Sequence, residues 1–502
     1  MLLKALNKKE KDKAECSYIY SYTTKHLNFT VKSKRSQSAL EYMMTYGWAI
    51  LIIVIVAVIL YSMGIFNPSS SVTFTSSGFS PFTVSSSLCN NLGYKIAVLA
   101  GPMPNNANYI TINKVFVTSV TGANTTTASY TLTNPVTLKS GQSATILIPN
   151  VACNSANIHY SLSAKIQYSY TASTLGLQTI NTTGTVAGTS ITGKPSVLTT
   201  YEPITLTNTQ SSATPSPFQQ MVNFTSADPG FSSISTGNFG QNVEFFYYNG
   251  TVIPSWLENY TSTNALWWLK IAAIPGGSSE TVYVGFAPAS ANLFNTVNDG
   301  EAPQLSSTYA EYDDGFNLFY YYNNFENSAS LNGWSSAYNP LPPVSSADDG
   351  LHLSSSSGGI YGYFSPSDYL YITLFQSFSN ASYPRDGFGG PNTAPTYWLN
   401  GAGGNGNYGV QTYNLSGGYY GYSIPSTIAN QTYPLSMYFL NRNVYSSINF
   451  VNYITGGVKM STPAKTGVFF QLNSGKMIIF YIALANLAPE GVMPSVSFGS
   501  VA

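Results

Sequence analysis

The sequence predicts a mainly β protein in which one apolar N-terminal α-helix precedes a series of β-sandwich modules. Residues 48–66 contain no charge over nineteen positions, and as a helix they would span roughly 28 Å, about the hydrocarbon thickness of a bilayer. After Pro68 the chain changes to short β-type runs separated by Gly, Pro, Asn and Ser, and no helical periodicity recurs. We therefore expect a transmembrane helix followed by an all-β outer part.

The helix is expected from about residue 39 to residue 66, because Pro68 lacks the N–H group that would continue it. Basic residues are concentrated before it. The first 36 residues hold nine of the twenty Lys and Arg against three acids, a net charge of +6. Such a flank stays on the cytoplasmic side, so we expect a single-pass cell-membrane protein with an extracellular C-terminal part.

Composition agrees with export. Charged residues make up 8% of the chain, against about 25% in an ordinary soluble domain. Cys89 and Cys153 fall in one predicted module, as an extracytoplasmic disulfide requires. Eight Asn-x-Ser/Thr sequons follow the helix and are candidate glycosylation sites: Asn124, Asn181, Asn223, Asn249, Asn259, Asn380, Asn414 and Asn430.

The segment before the helix is open to two interpretations. A basic flank and an apolar helix also form a plain signal anchor. Glu41 argues against a mere anchor, because an acid entering the bilayer costs about 3 kcal/mol on insertion scales. Small residues at Ser36, Ser38 and Ala39 suit a peptidase that must reach the backbone.

This segment resembles the class III signal peptide of archaeal type IV pilins. The resemblance implies cleavage by a prepilin peptidase between Ser36 and Gln37, which makes Glu41 the fifth residue of the mature chain. In that family the acid at position five pairs with the N-terminal amine of a neighbouring pilin-like subunit. A buried carboxylate with a cationic partner is tolerable. Residues 1–36 would then be a cleaved leader and 37–68 a pilin-like transmembrane helix.

Residues 69–196 are predicted to form the first β-sandwich. Apolar and polar positions alternate throughout 158–170, which is typical of a half-buried strand, and weaker β-type runs occur at 109–120 and 144–149. The module resembles the globular head of archaeal pilins and archaellins. The sequence 193–196, Gly-Lys-Pro-Ser, is the expected boundary.

Residues 197–305 resemble a β-rich domain of unknown function found in archaeal and bacterial surface proteins, which commonly precedes a concanavalin A-like jelly roll. The similarity lies in the order of its apolar runs: 201–208, 243–246, 253–257, 267–270 and 282–286.

Residues 306–502 resemble such a jelly roll, of the concanavalin A-like or laminin-G-like kind. Its opening is indicated by Phe325-Glu326 and by Leu331-Asn332-Gly333-Trp334. Residues 492–499 are expected to be its closing strand, with a two-sheet sandwich of short strands between.

Catalytic motifs are scarce. The histidines are His26, His159 and His352, so a histidine-dependent hydrolase is not expected. Residues 401–406 satisfy Gly-x-Gly-x-x-Gly but open no predicted helix, and we interpret them as a loop. A glycosidase needs two carboxylates about 5–9 Å apart, and no pair stands out. The acids at 311–314 are expected to form a solvated interdomain turn, with structural calcium as the alternative. We expect no enzyme activity and no cofactor.

Aromatic residues are in excess, at 14% of the chain with 39 Tyr. Rings that stack on sugar faces commonly mediate contacts with carbohydrate, although Tyr also fills strand positions well. The candidate ligand-binding residues lie in and beside the Gly-rich region: Tyr397, Trp398, Tyr413, Tyr419, Tyr420 and Tyr422.

Together these features lead to the hypothesis of an archaeal cell-surface, type IV pilin-like structural and adhesion protein. Its outer module would bind glycans or cell surfaces, and nucleic acid is not an expected partner. The alternative is a membrane-tethered carbohydrate-binding protein that does not polymerise, and a surface glycoside-active enzyme is a third class.

Overall fold

The computed structural model describes residues 42–44, 46–56, 74–122, 128–149, 151–153, 155–336, 344–345, 350–354, 358–363, 369–377, 385–390, 393–400, 409–413, 419–423, 432–441, 443–448, 450–455, 467–472 and 475–502. The chain divides into two compact units, Met1–Ser71 and Val72–Ala502.

In the first unit, residues 42–44 and 46–56 are helical. Within the part of the chain that the structure describes, no helical segment has both the length and the apolar character of a membrane span. The remainder of the helix expected over 39–66 lies outside the described residues, as do Ser36, Gln37 and Glu41. Membrane anchoring and leader cleavage therefore stay predictions.

The second unit begins with a two-sheet module, which we call the first module. Its strands form a five-stranded sheet in the order β1-β8-β7-β4-β5 and a three-stranded sheet in the order β2-β3-β6. The strands are β1 (Thr75–Gly78), β2 (Phe82–Asn90), β3 (Gly93–Ala100), β4 (Ile110–Thr121), β5 (Ala128–Leu138), β6 (Ser143–Ile148), β7 (His159–Ala172) and β8 (Gly176–Thr189).

The core of the first module follows from alternation along β7. Its even-numbered residues from Tyr160 to Ala172 are buried, whereas His159 is exposed on the opposite face, as a period of two requires. The strand predicted over 158–170 is confirmed, and β4 and β6 occupy the two weaker runs. Cys89 and Cys153 form a disulfide with their Cα atoms 5.6 Å apart.

The second module packs two four-stranded sheets around Trp267, Phe224 and Phe245. One sheet has the order β10-β13-β12-β15, and β11, β14 and β9 are neighbours in the other. The strands are β9 (Thr200–Asn208), β10 (Phe218–Thr225), β11 (Val243–Phe246), β12 (Ser255–Tyr260), β13 (Asn264–Ile271), β14 (Ser278–Phe286) and β15 (Asp299–Glu301).

The third module contains an eight-stranded sheet and a seven-stranded sheet. Its strands are β16 (Tyr321–Asn323), β17 (Ser335–Ser336), β18 (Val344–Ser345), β19 (Gly350–Ser354), β20 (Gly358–Tyr363), β21 (Tyr369–Ser377), β22 (Arg385–Gly390), β23 (Thr393–Asn400), β24 (Gly409–Tyr413), β25 (Tyr419–Ser423), β26 (Thr432–Leu440), β27 (Asn443–Ile448), β28 (Val451–Thr455), β29 (Gly467–Leu472) and β30 (Lys476–Asn486).

The eight-stranded sheet runs β18-β19-β30-β21-β26-β27-β28, with β16 also paired to β30, and the seven-stranded sheet runs β17-β20-β29-β22-β23-β24-β25. Phe325, Leu331 and Trp334 are buried in the core with Phe470, so the predicted opening motif does contribute to this module. The described part of the chain outside the strands also has a short α-helix, Gly315–Leu318, and single-turn 3₁₀ segments at Pro104–Asn106, Pro229–Ser233, Ser328–Leu331 and Pro489–Gly491.

The expected closing strand of the jelly roll lies elsewhere. Strand β31 (Ser495–Phe498) pairs antiparallel with β9, with Phe498 opposite Ile204. Val496 and Phe498 also pack against the core of the second module. The assignment of 492–499 to the jelly roll was therefore wrong. The third module is inserted between β15 and β31, because the chain returns to complete the sheet in which β9 lies.

Candidate functional site

The second and third modules meet across two sheet faces, a contact that we call the seam. The β10-β13-β12-β15 sheet forms one side, and the eight-stranded sheet forms the other. Side chains alternate along β13, so Trp267 points into the core of the second module while Trp268 is buried in the seam. Opposite it, the seam is built from Ile372, Leu374, Ile478, Phe480, Tyr481 and Ala483.

An acid of β12 lies in the seam, at a β-bulge. Leu257 pairs with Trp267 and Asn259 pairs with Leu266, so Glu258 is the extra residue between them. Side chains still alternate up to the bulge: Trp256 lies in the seam, Leu257 is part of the core of the second module, and Glu258 is fully buried and hydrogen-bonds to seam residues. The bulge then keeps Asn259 on the seam side, opposite Leu266.

A second bulge lies opposite, in β30. Tyr481 pairs with Leu374 and Ile479 pairs with Phe375, which leaves Phe480 as the extra residue. Ile479 and Ile482 therefore face the core of the third module, while Phe480 and Tyr481 both belong to the seam. Strand β30 is buried on both faces for this reason.

The two bulged segments are joined by the Glu258 carboxylate. Its Oε1 accepts a hydrogen bond from the Tyr481 hydroxyl at 2.7 Å, and its Oε2 accepts one from the Trp268 indole N–H. Burial raises the pKa of Glu258 to about 7, and these two hydrogen bonds act in the opposite direction.

Asp313 forms a second buried centre beside the seam. Its Oδ1 accepts hydrogen bonds from Trp256 Nε1 at 2.9 Å and from the Gly315 N–H at 3.0 Å. Its Oδ2 accepts from the Tyr322 hydroxyl at 2.8 Å and from Asn324 Nδ2 at 2.9 Å. Burial raises the pKa of Asp313 to about 6.

The expectation of a solvated turn at 311–314 was wrong for its last two residues. Asp313 and Asp314 are 8% and 1% exposed. The four donors around Asp313 satisfy its oxygens and allow the carboxyl group to be buried. A sequence window around Asp313 cannot show the Trp256 donor, because it comes from β12, more than fifty residues earlier.

Asp314 and Asp299 are two further buried acids with strongly raised pKa values. Both oxygens of Asp314 are buried without a hydrogen-bond partner. Burial, with nearby acids as a lesser cause, raises the pKa of each group to about 8. Gly300 makes room for this arrangement, since a Cβ atom there would lie 2.0 Å from Asp314 Oδ1.

Chemically, these carboxyl groups form a structural centre. Glu258 and Asp313 are buried and already engaged by protein donors, so a sugar does not reach them as general acid and base. Within the ranges that the structure describes, no group of three or more His, Cys, Asp or Glu side chains is arranged to hold a metal ion.

Sequence reasoning missed Glu258, although an acid directly after the apolar residues 256–257 was a usable signal.

The six predicted aromatic residues come together on three neighbouring strands, β23, β24 and β25, at one edge of the seven-stranded sheet. Their register divides them between two faces. Trp398 is opposite Gln411, and Tyr413 is opposite Tyr419, so the positions of Trp398, Tyr413 and Tyr419 share one face. We call these three positions the aromatic face.

The positions of Tyr397, Tyr420 and Tyr422 lie on the other face. The pairing runs from Phe470 through Asp386 to Leu399, and from Phe388 to Tyr397. Phe470 is buried between the two sheets of the third module. The register therefore puts these three positions on the core-facing side of the sheet and the positions of the aromatic face on its outer side.

The remaining predicted residues are spread over the chain. Asn181, Asn223, Asn249 and Asn259 are exposed, and their glycosylation stays a prediction. The sequons at Asn124, Asn380, Asn414 and Asn430 lie outside the described residues, as does the Gly-rich loop 401–406.

Where the seam opens, it forms two adjoining clefts, which we call the seam clefts. One has a volume of about 470 Å³ and includes Asn259, Gln304, Ser306, Tyr309 and Thr432 in its wall. The other, of about 410 Å³, also includes Asn259 and is lined besides by Met221, Asn223, Leu266, Pro434 and Phe450. Among the residues that the structure describes, no charged side chain lines either cleft.

Two parts of this chain are similar in sequence to known proteins. The family model described as Domain of unknown function (DUF2341) matches residues 239–337, which overlap the segment 197–305 predicted to be such a domain. A protein of Sulfolobus islandicus rod-shaped virus 1, described as uncharacterized protein 562, is 33% identical over 147 residues, 28% of this chain and 24% of the viral protein. This chain thus covers about a quarter of that curated relative.

Solved structures align with about a third of this chain. A glycosyl hydrolase family protein from Mycobacterium fortuitum aligns with 33% of this chain and 99% of its own, at 8% identity and a TM-score of 0.26. The carbohydrate-binding module CBM66 of Bacillus subtilis aligns with 31% of this chain and 96% of its own, at 12% identity and a TM-score of 0.25. A third structure is domain 4 of AbnA, an extracellular arabinanase of Geobacillus stearothermophilus, in complex with arabinotriose. It aligns with 34% of this chain and 95% of its own, at 17% identity and a TM-score of 0.25.

Proposed function

We propose that this chain is a glycan-binding protein whose third module contacts sugar through the aromatic face. The observation that carries the proposal is the register of β23, β24 and β25, which gathers Trp398, Tyr413 and Tyr419 on one side of a sheet. The electron-rich face of an aromatic ring attracts the polarised C–H groups of a sugar. Three such positions on adjacent strands offer a platform for successive sugar units.

The position of the platform within the chain supports this function. The third module contributes to the seam through its eight-stranded sheet, by residues of β21, β26 and β30. The aromatic face belongs to the other sheet, on the side opposite its buried residue Phe470. The described residues that join the modules thus lie on a different sheet from the aromatic face, which supports a binding role for that face.

Charge indicates the class of glycan. Between Gly387 and Asn441 the sequence contains no Asp, Glu, Lys, Arg or His, and this stretch includes all of β23, β24 and β25. Anionic polymers are held chiefly by Lys and Arg, so an uncharged aromatic surface favours neutral glycans. Asn400 and Gln411 supply amide groups at positions on the same face.

A glycan array tests the proposal. The full chain should bind one or more neutral oligosaccharides on an array holding cellohexaose, laminarihexaose, mannohexaose and chitohexaose beside sulfated and sialylated glycans. Binding should survive 0.5 M NaCl, since the contacts are uncharged. Failure to bind any neutral glycan, or binding limited to anionic glycans and lost in salt, would contradict the proposal. Release of reducing sugar from a bound oligosaccharide would point to the enzymatic alternative instead.

We propose further that the binding protein is displayed at the cell surface by its N-terminal segment. The support is the order of Ser36, Gln37 and Glu41 before an uncharged run of helical length. Mass spectrometry of the mature N-terminus tests this assignment. A chain that begins at Gln37 supports prepilin-peptidase processing and assembly with pilin-like subunits, and a retained leader supports a tether that does not polymerise. Glu41→Ala should block filament incorporation while membrane insertion persists.

A further inference from the structure

We propose that Asn259 carries an N-linked glycan that occupies the seam clefts and holds the second module against the third. This covalent glycan belongs to the chain itself and is distinct from any ligand of the aromatic face. Three independent observations lead to it: the acceptor sequon, its place at the end of a strand, and the space beside it.

The whole Asn259 sequon is accessible. Asn259, Tyr260 and Thr261 are all exposed, because β12 ends at Tyr260 and a turn follows. A transferase that reads Asn-x-Thr as an extended peptide can therefore reach it. The Asn223 sequon differs, since its middle residue Phe224 is fully buried in the core of the second module.

The bulge at Glu258 determines where the Asn259 side chain lies. Asn259 and Asn223 are both paired with Leu266, one on each side of β13. Residues opposite one another share a face, and strands are about 4.8 Å apart, so the two asparagines lie about 10 Å apart on the seam side. Asn223 is therefore placed to contact a glycan on Asn259.

The clefts suit a neutral, hydroxyl-rich occupant. Asn259 lines both, and volumes of about 470 and 410 Å³ fall within the range that holds small ligands. Gln304 contributes a buried Oε1 without a hydrogen-bond partner, and a sugar hydroxyl is a suitable donor for it.

The occupant would bridge the modules. The walls of the clefts come from the second module through Asn259 and Leu266 and from the third through Thr432, Pro434 and Phe450. A group attached to one wall and packed on the other stabilises the assembled seam, because unfolding would expose the buried apolar faces of both walls.

The first experiment is glycopeptide mass spectrometry on the protein purified from its native host. We expect a glycan on Asn259. An unmodified Asn259, or modification of Asn223 alone, would overturn the proposal.

The second experiment compares thermal unfolding of glycosylated variants. Thr261→Val removes the sequon but keeps Asn259, and it should lower the unfolding temperature by about 2–4 °C. Thr261→Ser keeps the sequon and should unfold like the parent. Asn249→Gln removes a sequon on a turn remote from the clefts and is the matched control, with no expected change.

Unglycosylated protein from a host without N-glycosylation isolates the effect of the glycan from that of the turn, because the Thr261 hydroxyl also accepts a hydrogen bond from the Thr263 N–H. There, any difference between Thr261→Val and Thr261→Ser measures the loss of the turn hydroxyl alone, and the difference in the glycosylated protein should be larger. Equal unfolding temperatures of the two variants in the glycosylated background would contradict the bridging role.

Discussion

The hydroxyl of Tyr481 donates a 2.7 Å hydrogen bond to the carboxylate of Glu258, across the seam between two modules and 223 residues of sequence. Each residue belongs to a segment that departs from strand alternation at a bulge. The contact joins β12 of the second module to β30 of the third. The hydrogen bond therefore couples the stability of the two modules.

Tyr481→Phe should destabilise this pair of modules. The substitution keeps the ring, including its edge contact with Trp256 at 5.0 Å, but leaves one buried oxygen of Glu258 without a donor. The expected loss in free energy of unfolding is about 1–3 kcal/mol, measurable by denaturant titration. Tyr109→Phe, at a residue 46% exposed in the first module, is the control. Equal stability of the two variants would mean that the hydrogen bond does not hold the seam.

The stability of the protein should fall as pH rises from about 4 to about 8. Folding raises the pKa of Asp299 and Asp314 from 3.8 to about 8 and that of Glu258 from 4.5 to about 7, chiefly through burial. In this window the folded state binds more protons than the unfolded state, so the free energy of unfolding decreases with pH. We expect a fall on the order of a few kcal/mol.

Denaturant titration at pH 4.5 and pH 8.5 measures this fall. Asp314→Asn removes one titrating group and should flatten the dependence, whereas substituting the exposed Glu326 should leave it unchanged. A stability that rises over the same interval would show that these carboxyl groups are ionised in the folded protein.

Removing residues 495–502 should loosen the second module and not the third. β31 covers the edge of β9, and the ring of Phe498 lies 4.3 Å from that of Phe224. Amide exchange measured by mass spectrometry should increase along β9, around residues 204–207, while β30 stays protected. Faster exchange confined to β30 would instead restore the strand to the third module.

The point variant Phe498→Ala tests the same contact without exposing an edge. Loss of a half-buried aromatic ring should cost about 2 kcal/mol. Val501→Ala, at a residue 37% exposed, should cost much less.

Local sequence patterns predicted individual strands, but they did not predict which distant strands pair. Alternation along 158–170 was sufficient to predict β7, because the buried face of a strand is recorded within the strand itself. The pairing of β31 with β9 joins residues almost 300 positions apart, and its short apolar run fits either module equally well.

The candidate site divides in the same way. Composition indicated the aromatic residues of β23 to β25, but only the register separates Trp398, Tyr413 and Tyr419 from the other three. The seam depends on the bulge in β30, a single extra residue that brings both Phe480 and Tyr481 to the same face. Nothing in the residues around Phe480 distinguishes a bulge from continued alternation.

Binding of one neutral oligosaccharide from the array, titrated by calorimetry against the full-length parent and against Trp398→Ala, Tyr413→Ala and Tyr419→Ala, tests the central claim most directly. Tyr109→Ala in the first module serves as control, and each variant is first shown to unfold at the temperature of the parent. We predict that each aromatic-face variant weakens binding at least about tenfold, a loss of about 1.4 kcal/mol, while the control binds like the parent. Undiminished affinity in all three variants would contradict the account.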